Sequence, residues 1–288
     1  VDARAGAVRD GADAKHGDAP VWMRARGDRL RTHGDRFGED LRRMSLQAGI
    51  DLQRDAGVVR GVMARVAQAD GEIEDRLRPT LAGFASTLSS DVGDVRLRAY
   101  TLGGYQTLHM ANRWSLDLTA EGGRLQARMT PEGALRVDTD GWGAALSATL
   151  ARAFGAGTWQ WEPQVQLIAA RMRLDGIDGS VRSERLTRDA LRGRVGLRLT
   201  GAQAAATRVY GVANLWRELR DSDEVVFHGG SDSTSVRATA ARNWAELGVG
   251  LMREQGNASW FVDLRGEHGI GPGGRDAIAA QAGLNLRW

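Results

Sequence analysis

The side chains most suited to chemistry are scattered along this sequence and do not form a known catalytic or metal-binding motif. The five histidines lie in predicted loops or turns, without the spacing of metal ligands: His16, His33, His109, His228 and His268. There is no cysteine, which excludes thiolate sites and disulfides. No G-x-S-x-G motif and no Gly-rich phosphate loop in a strand–helix context occurs. We therefore predict no catalytic residue, no metal and no cofactor.

The remaining candidates are charged and amide side chains, and arginine dominates them. Lysine and arginine together number 39 against 36 acidic residues, and Lys15 is the only lysine. The arginines recur singly at alternate positions, such as Arg96 and Arg98, and do not cluster on one helix face. This spacing argues against nucleic acid as a partner. It favours a wet interior lined with charge.

The elements that position these residues are strands, as the stretch from Asp276 to Trp288 illustrates. Every second position is apolar, from Ile278 to Leu284, Leu286 and Trp288, while small or polar residues lie between. Side chains alternate across a strand, so one face contacts an oily phase and the other contacts water. The same pattern recurs upstream, for example at Trp114, Leu116 and Leu118.

Twelve such strands are predicted, with a linker or pore segment at 1–20 and a barrel domain at 21–288. Mean hydropathy is -0.36 and no run of about eighteen apolar residues occurs, so no transmembrane helix is predicted. The fold class is all-β, a twelve-stranded antiparallel transmembrane barrel. The predicted strands are 21–29, 41–55, 57–69, 94–108, 111–127, 139–154, 158–173, 189–200, 207–219, 242–254, 257–266 and 276–288.

The predicted connections alternate in length. Short turns follow the even strands, and long polar stretches follow the odd strands, including 70–93, 174–188 and 220–241. Membrane barrels have short periplasmic turns and long extracellular loops, which explains the alternation. Pro163 removes a ladder donor inside a predicted strand, so we expect a bulge there or a later strand start.

The tryptophans support a membrane barrel. Nine tryptophans against five phenylalanines is unusual for a soluble core, and tryptophan prefers the membrane interface. Trp216 and Trp244 fit the girdle less well, and either could face the lumen. The tryptophans near predicted strand ends form the expected aromatic girdle: Trp22, Trp114, Trp142, Trp159, Trp161, Trp260 and Trp288.

From about Trp22 to Trp288 the chain resembles the C-terminal translocator domain of classical type V autotransporters. No single motif is specific, but their order and spacing together are. The matching motifs are Val21–Trp22 followed by Arg24 and Gly27, Trp142–Gly143–Ala144, Trp161–Glu162–Pro163–Gln164, Ala213–Asn214–Leu215–Trp216, Glu246–Leu247–Gly248–Val249–Gly250 and the closing Gly283–Leu284–Asn285–Leu286–Arg287–Trp288.

The resemblance implies a barrel in the Gram-negative outer membrane that exports its own N-terminal passenger to the cell surface. A segment within 1–20 would run through the pore as a short helix or partly disordered chain. Relatives that cut this segment use an asparagine, and none occurs there, so self-cleavage is not predicted. The expected pore-lining residues are Gln47, Asp51, Arg96, Arg98, Asp117, Gln164, Gln166, Arg194, Arg198, Asp263, Arg265, Asn285 and Arg287, with Gly49, Gly196, Gly248 and Gly283 leaving room for the chain.

The resemblance also implies partners. The barrel-assembly machinery recognises terminal strands like this one, so Leu284, Leu286 and Trp288 are the expected assembly signal. The expected surroundings are outer-membrane lipid and lipopolysaccharide, with the barrel as a monomer. Three alternatives stay open on the sequence alone: an outer-membrane barrel enzyme, a simple diffusion porin and a soluble β-sandwich binding module.

Overall fold

The computed structural model describes residues 21–34, 37–55, 57–75, 91–132, 136–155, 158–176, 182–183, 186–203, 206–220, 224–229, 232–237 and 241–287. The predictions for residues 1–20 and for Trp288 lie outside these residues. The described residues form strands and one short 3₁₀ turn, Ala111–Arg113. None of them belongs to a helix that is long and apolar enough to cross a membrane.

Twelve strands close into an antiparallel barrel, in agreement with the predicted fold class. Its strands are β1 (Val21–His33), β2 (Phe37–Asp55), β3 (Val58–Asp75), β4 (Asp91–Met110), β5 (Trp114–Pro131), β6 (Val137–Arg152), β7 (Trp159–Leu174), β9 (Leu186–Gln203), β10 (Thr207–Arg220), β13 (Asn243–Gln255), β14 (Ala258–Ile270) and β15 (Gly274–Leu286). Three shorter strands form a separate sheet: β8 (Arg182–Ser183), β11 (Glu224–Gly229) and β12 (Asp232–Arg237).

The barrel closes where the first strand meets the last. β1 pairs with β15 in register from Val21–Leu286 to His33–Gly274, and pairs with β2 on its other edge. Every barrel strand therefore has two neighbours, and no edge in this sheet is left open. Both chain ends of the barrel lie beside the short turns, which we call the short-turn end. The opposite end is the long-loop end.

Side chains alternate between the lumen and the outer wall along each strand. In β15, Ile278 on the outer face is 66% exposed while its neighbour Ala279 is 7% exposed and faces inward. The exposed large hydrophobic side chains all lie on the outer wall, where they form an apolar band. The buried residues, many of them polar, lie in the lumen. A wet interior behind an oily exterior is the arrangement of a transmembrane barrel.

The strands extend further at the long-loop end than the sequence predicts. β1 continues to His33 and β2 begins at Phe37, so a hairpin replaces the predicted connection over 30–40. The connections after β5 and β14 are also short there, whereas those after β3, β7 and β10 are long. Outward-facing ion pairs bridge the extended strands, as between Arg29 and Asp40 at 2.5 Å. These polar extensions lack the apolar alternation by which strands were recognised.

Above the apolar band, at the long-loop end, the outer wall carries polar residues that we call the charged belt. On each barrel strand the belt begins with one outward-facing residue: Arg29, Arg42, Gln68, Arg98, Arg124, Asp140, Arg171, Asp189, Arg217, Asn243, His268 and Asp276. Near the tip of the β1–β2 hairpin, outside the band, a hydrogen bond from Arg29 lowers the pKa of Asp40 to about 2.

Pro163 lies inside β7 without the expected bulge. The strand begins at Trp159, and its register with β9 runs unbroken through the pair Pro163–Leu197. On the other side, Trp161 and Phe154 exchange two backbone hydrogen bonds of 2.9 and 3.1 Å. Because hydrogen-bonding direction alternates along a strand, the nitrogen of Pro163 also points toward β6. The β6–β7 ladder ends at Ala151–Gln164, so the missing donor falls in the gap before this bridge.

Candidate functional site

The lumen is the candidate site because it gathers most of the charged and amide residues that the sequence singles out. Their burial comes from the alternation of the strands, which turns every second side chain inward. Eleven of the predicted pore-lining residues lie on the inner face: Gln47, Asp51, Asp117, Gln164, Gln166, Arg194, Arg198, Asp263, Arg265, Asn285 and Arg287. The glycines Gly49, Gly196, Gly248 and Gly283 lie on the same face.

Arg96 and Arg98 lie on the outer wall, contrary to the pore-lining prediction. They share their face of β4 with Tyr100 and with Leu102, which is 73% exposed, while Thr101 between them is buried. The guanidinium of Arg96 donates a hydrogen bond to Asp70 on the neighbouring strand. Both arginines thus belong to the charged belt. The sequence already contained this placement, because Arg96 and Arg98 lie an even number of residues before Leu102 and so share its face of the strand.

One inner cluster, the Tyr105 cluster, joins β1, β2 and β4. Nε1 of Trp22 donates to the hydroxyl of Tyr105 at 2.9 Å, and that hydroxyl donates to Asp51 at 2.5 Å. The rings of Trp22 and Tyr105 meet edge to face, with centroids 5.7 Å apart. Trp22 is therefore a lumen residue, and its prediction as part of the girdle is wrong. A Cβ at Gly49 would overlap the Trp22 ring, so this glycine makes room for the indole.

A second inner cluster, the Tyr210 cluster, joins β10, β13, β14 and β15. The Tyr210 hydroxyl donates to Asp263 at 2.9 Å, and Gln281 donates to the same carboxylate. Arg265 joins this carboxylate to Glu246, with contacts of 3.3 and 3.2 Å. Asn214 donates to Glu246 at 2.5 Å. Each buried carboxylate therefore has at least two donors, which offsets the cost of its burial.

Stacked tryptophans flanked by arginines line the lumen toward the long-loop end. Trp216 and Trp244 lie nearly parallel, 6° apart, with ring centroids separated by 5.8 Å. The guanidinium of Arg275 lies 4.2 Å from the Trp244 ring centroid, and that of Arg194 lies 5.2 Å from the Trp216 centroid. These are cation–π distances. Trp216 and Trp244 thus face the lumen, which is the alternative that the sequence allows for them.

A cavity of about 310 Å³ lies beside this stack. Its walls carry more basic than acidic groups: Arg26, Arg43, Arg65, Arg192, Arg265 and Arg275 against Asp28, Glu246 and Glu267. Buried atoms such as Arg65 Nε and Trp216 Nε1 have no hydrogen-bond partner among the described residues, which suits a hydrated space. Within the described part of the chain, no group of three or more histidine or acidic side chains could hold a metal ion.

The other predicted girdle tryptophans lie on the outer wall. Trp114, Trp159, Trp161 and Trp260 lie toward the short-turn end, and Trp142 borders the charged belt at the other end of the apolar band. Arg152 lies over the Trp114 ring at 5.4 Å. Leu284 and Leu286 also face outward, at 39% and 40% exposure. Trp288, the third residue of the predicted assembly signal, lies outside the described residues.

Sequence reasoning missed the acceptors and rings that organise the two clusters. Tyr105, Tyr210 and Glu246 are all buried in the lumen, but none was among the predicted pore-lining residues. Their position was available from the alternation, because Tyr105 shares its face with Thr101 and Thr107. The pattern does not show which inward-facing side chains contact one another. Trp22 and Tyr105, for example, lie on strands that are not neighbours.

Comparison with known proteins is consistent with this geometry. The family model described as "Autotransporter beta-domain" matches residues 21–265. A sequence search of curated proteins finds no match.

Solved structures that share the fold include three autotransporter domains. The transport unit of the autotransporter AIDA-I from Escherichia coli has a TM-score of 0.73 and 17% identity, covering 97% of this chain and 93% of that one. The translocator domain of the autotransporter NalP from Neisseria meningitidis has a TM-score of 0.71 and 15% identity, covering 98% of this chain and 92% of that one. The β-domain of the Bordetella autotransporter BrkA has a TM-score of 0.66 and 19% identity, covering 94% of this chain and 99% of that one.

At these identities the structural likeness shows the fold alone. From its sequence motifs we also predict similarity to the Bordetella serum-resistance autotransporter.

Proposed function

The chain belongs to the autotransporter β-domain family, and on that premise we propose how its barrel carries a passenger across the membrane. It is an outer-membrane translocator domain of a Gram-negative bacterium that mediates export of its own N-terminal passenger to the cell surface. As a translocator domain it is not itself catalytic. Its long-loop end faces outward and its short-turn end faces the periplasm.

We propose that the inward-facing polar residues solvate an unfolded chain while it crosses the lumen as a hairpin. The observation that carries this proposal is the interleaving of both charge signs on the inner face. Arg265, for example, lies between Asp263 and Glu246. Because opposite charges neutralise one another locally, no uniform patch would hold a passing segment tightly. Passenger folding outside then biases the movement outward.

A pair of charge reversals tests this role of the lumen. The domain is expressed with a signal peptide and an upstream reporter, and surface exposure is measured with external protease. Arg194→Glu, which faces the lumen, should lower reporter exposure, whereas Arg171→Glu on the outer wall should leave it unchanged. A wild-type reporter that stays protected despite an inserted barrel would sink the export mechanism. Equal export by both variants would sink the role of the lumen charges.

The segment at 1–20 is proposed to occupy the pore as a short helix or a partly disordered chain. The absence of cysteine makes cross-linking unambiguous. Ala12→Cys combined with Gln166→Cys, which faces inward, should form a disulfide on mild oxidation. The matched pair with Leu167→Cys on the outer wall should not. Equal yields from the two pairs would contradict the placement.

Leu284, Leu286 and Trp288 are proposed as the signal for the barrel-assembly machinery. Support comes from the outward exposure of both leucines on β15, where another protein can reach them. Trp288→Ala with Leu286→Ser should lower the amount of inserted barrel in cells, but not its refolding in detergent. A parallel loss in both settings would mean that these residues only stabilise the barrel.

The apolar band is proposed to contact outer-membrane lipid and lipopolysaccharide around a monomeric barrel. The band is supported by exposed outward residues on strands far apart in the barrel, such as Leu102, Leu146 and Leu247. Native mass spectrometry of the purified domain should give one chain per particle. A stable dimer would contradict this.

A further inference from the structure

The outer wall is indented over the seam between β1 and β15. This groove has a volume of about 1140 Å³, larger than the roughly 300–1,000 Å³ of ordinary ligand pockets. Small side chains on the two seam strands line its middle, and larger apolar ones on β2, β3 and β14 flank it. These residues are Ala25, Ala280 and Ala282 in the middle, with Leu46, Val66 and Leu264 at the sides.

Basic residues lie directly above this groove. Arg29 and Arg42 are opposite each other in the β1–β2 register, one outward position above the groove residues Gly27 and Met44. On β1 to β5 the first residues of the charged belt are Arg29, Arg42, Gln68, Arg98 and Arg124, with no carboxylate among them.

The acidic residues nearby are shared among several arginines. Asp40 contacts both Arg29 and Arg31, at 2.5 and 3.0 Å. Asp70, opposite Arg42 in register, accepts a hydrogen bond from Arg96. Further from the groove, Asp276 on β15 lies opposite Arg31, and Glu72 on β3 lies opposite Asp40, so these positions carry no excess of positive charge. The excess of basic groups lies in the row nearest the groove, where Arg29 and Arg42 face each other.

We propose that the groove and these arginines form a binding site for a phosphorylated glycolipid of the outer leaflet. Its acyl chains would lie against the seam, and its phosphate would contact Arg29 and Arg42. Lipid tails are as apolar as leucine, so the groove alone does not select one lipid over another in a bilayer. Selection comes from the headgroup, because guanidinium groups bind phosphate with strong, charge-assisted hydrogen bonds. The site rests on the outer-membrane placement of the domain, but not on passenger export.

Native mass spectrometry of the delipidated full chain in detergent tests the site. The probes are purified diphosphorylated lipid A and the same glycolipid after removal of its phosphates. The phosphorylated form should bind saturably, and Arg29→Gln with Arg42→Gln should weaken this binding at least about tenfold. The matched control, Arg171→Gln with Arg217→Gln, removes two belt arginines away from the seam and should keep the wild-type affinity. Heat-modifiable migration on gels verifies that each variant is folded.

A groove-filling variant separates headgroup from acyl-chain binding. Ala280→Trp should weaken lipid binding without changing any charge. Equal affinity for both glycolipid forms, or equal losses in the seam and control variants, would overturn the proposal. A dimer that disappears in Ala280→Trp would instead assign the groove to a second copy of the chain. Reporter export is measured in parallel, and its loss would concern the translocator mechanism and not this site.

Discussion

The hydroxyl of Tyr105 donates a 2.5 Å hydrogen bond to the carboxylate of Asp51, two strands away across the inner wall. The same hydroxyl accepts from Trp22, so one phenol ties β4 to both β1 and β2. Removing it leaves a buried carboxylate and a buried indole without their shared partner.

Tyr105→Phe should therefore destabilise the barrel by about 1–3 kcal/mol, the usual cost of an unsatisfied buried polar group. The measurement is urea unfolding in lipid vesicles, followed by tryptophan fluorescence. Tyr100→Phe on the outer wall is the control and should shift stability by less than about 0.5 kcal/mol. Equal effects would mean that the hydrogen bond contributes nothing.

Gly250→Ala should destabilise the barrel by about 1–3 kcal/mol, because the new methyl group would overlap the Tyr210 ring. Tyr210→Ala removes the ring that the methyl group would meet. In a double-mutant cycle the double variant should therefore lose less stability than the two single variants lose together. Gly266→Ala, which meets nothing within 4 Å, should be neutral. Strict additivity of Gly250→Ala and Tyr210→Ala would refute the steric explanation.

Arg265→Gln should cost about 3–5 kcal/mol of stability, because it leaves Asp263 and Glu246 buried without their bridging cation. Adding Glu246→Gln should recover part of the loss. Arg253→Gln, exposed on the outer face of β13, provides the comparison and should change little. Thermal midpoints in detergent measure all three, and an unchanged midpoint for Arg265→Gln would show that the bridge is not stabilising.

Leu247→Arg and Asn243→Arg place the same charge on one face of β13 at two depths. Leu247 lies in the apolar band, where arginine should cost up to about 2–4 kcal/mol, whereas Asn243 lies in the charged belt, where the cost should be near zero. The free energy of folding into lipid vesicles measures the difference. Similar costs at both positions would place the membrane boundary elsewhere.

The β1–β2 hairpin tip should keep its ion pairs in mild acid. The pKa of Asp40 is lowered to about 2, so its stabilising effect is present above the ordinary aspartate value and is lost as the pH falls through about 2. Hydrogen exchange over 29–42 should thus be slower in wild type than in Asp40→Asn at pH 4, and the two should converge near pH 2. A difference that persists at pH 1.5 would exclude the carboxylate as its source.

Much of the barrel could be predicted because lipid and water impose opposite demands on neighbouring side chains. The alternate spacing of apolar residues predicts that Ile278 and Leu264 face outward, and the structure places both on the outer wall. The extended strand ends could not be found in this way. At Arg31 and Asp40 the outer face is charged where lipid-facing strands would be apolar, because the strands have left the membrane and a cross-strand ion pair joins them.

The sequence predicts many of the residues that line the lumen, but not which of them contact one another. Gln166 and Asp263 were assigned inward from alternation, and both are buried. The girdle prediction for Trp22 rests on its place near a strand end. Trp22 lies two and four residues before Arg24 and Arg26, however, and so shares their inner face of β1. Contacts such as Trp22 with Tyr105 depend on barrel curvature and on the small residues between them, which a linear pattern does not encode.

The seam joins the first strand of the barrel to its last. Thirteen residue pairs join β1 to β15, and no other barrel ladder connects strands so distant in sequence. Contacts between such remote segments form slowly, because a long loop is ordered before they contribute. During transit to the membrane both edges are therefore unsatisfied and prone to pair with other chains. A holdase that shields β1 until β15 arrives would prevent such pairing.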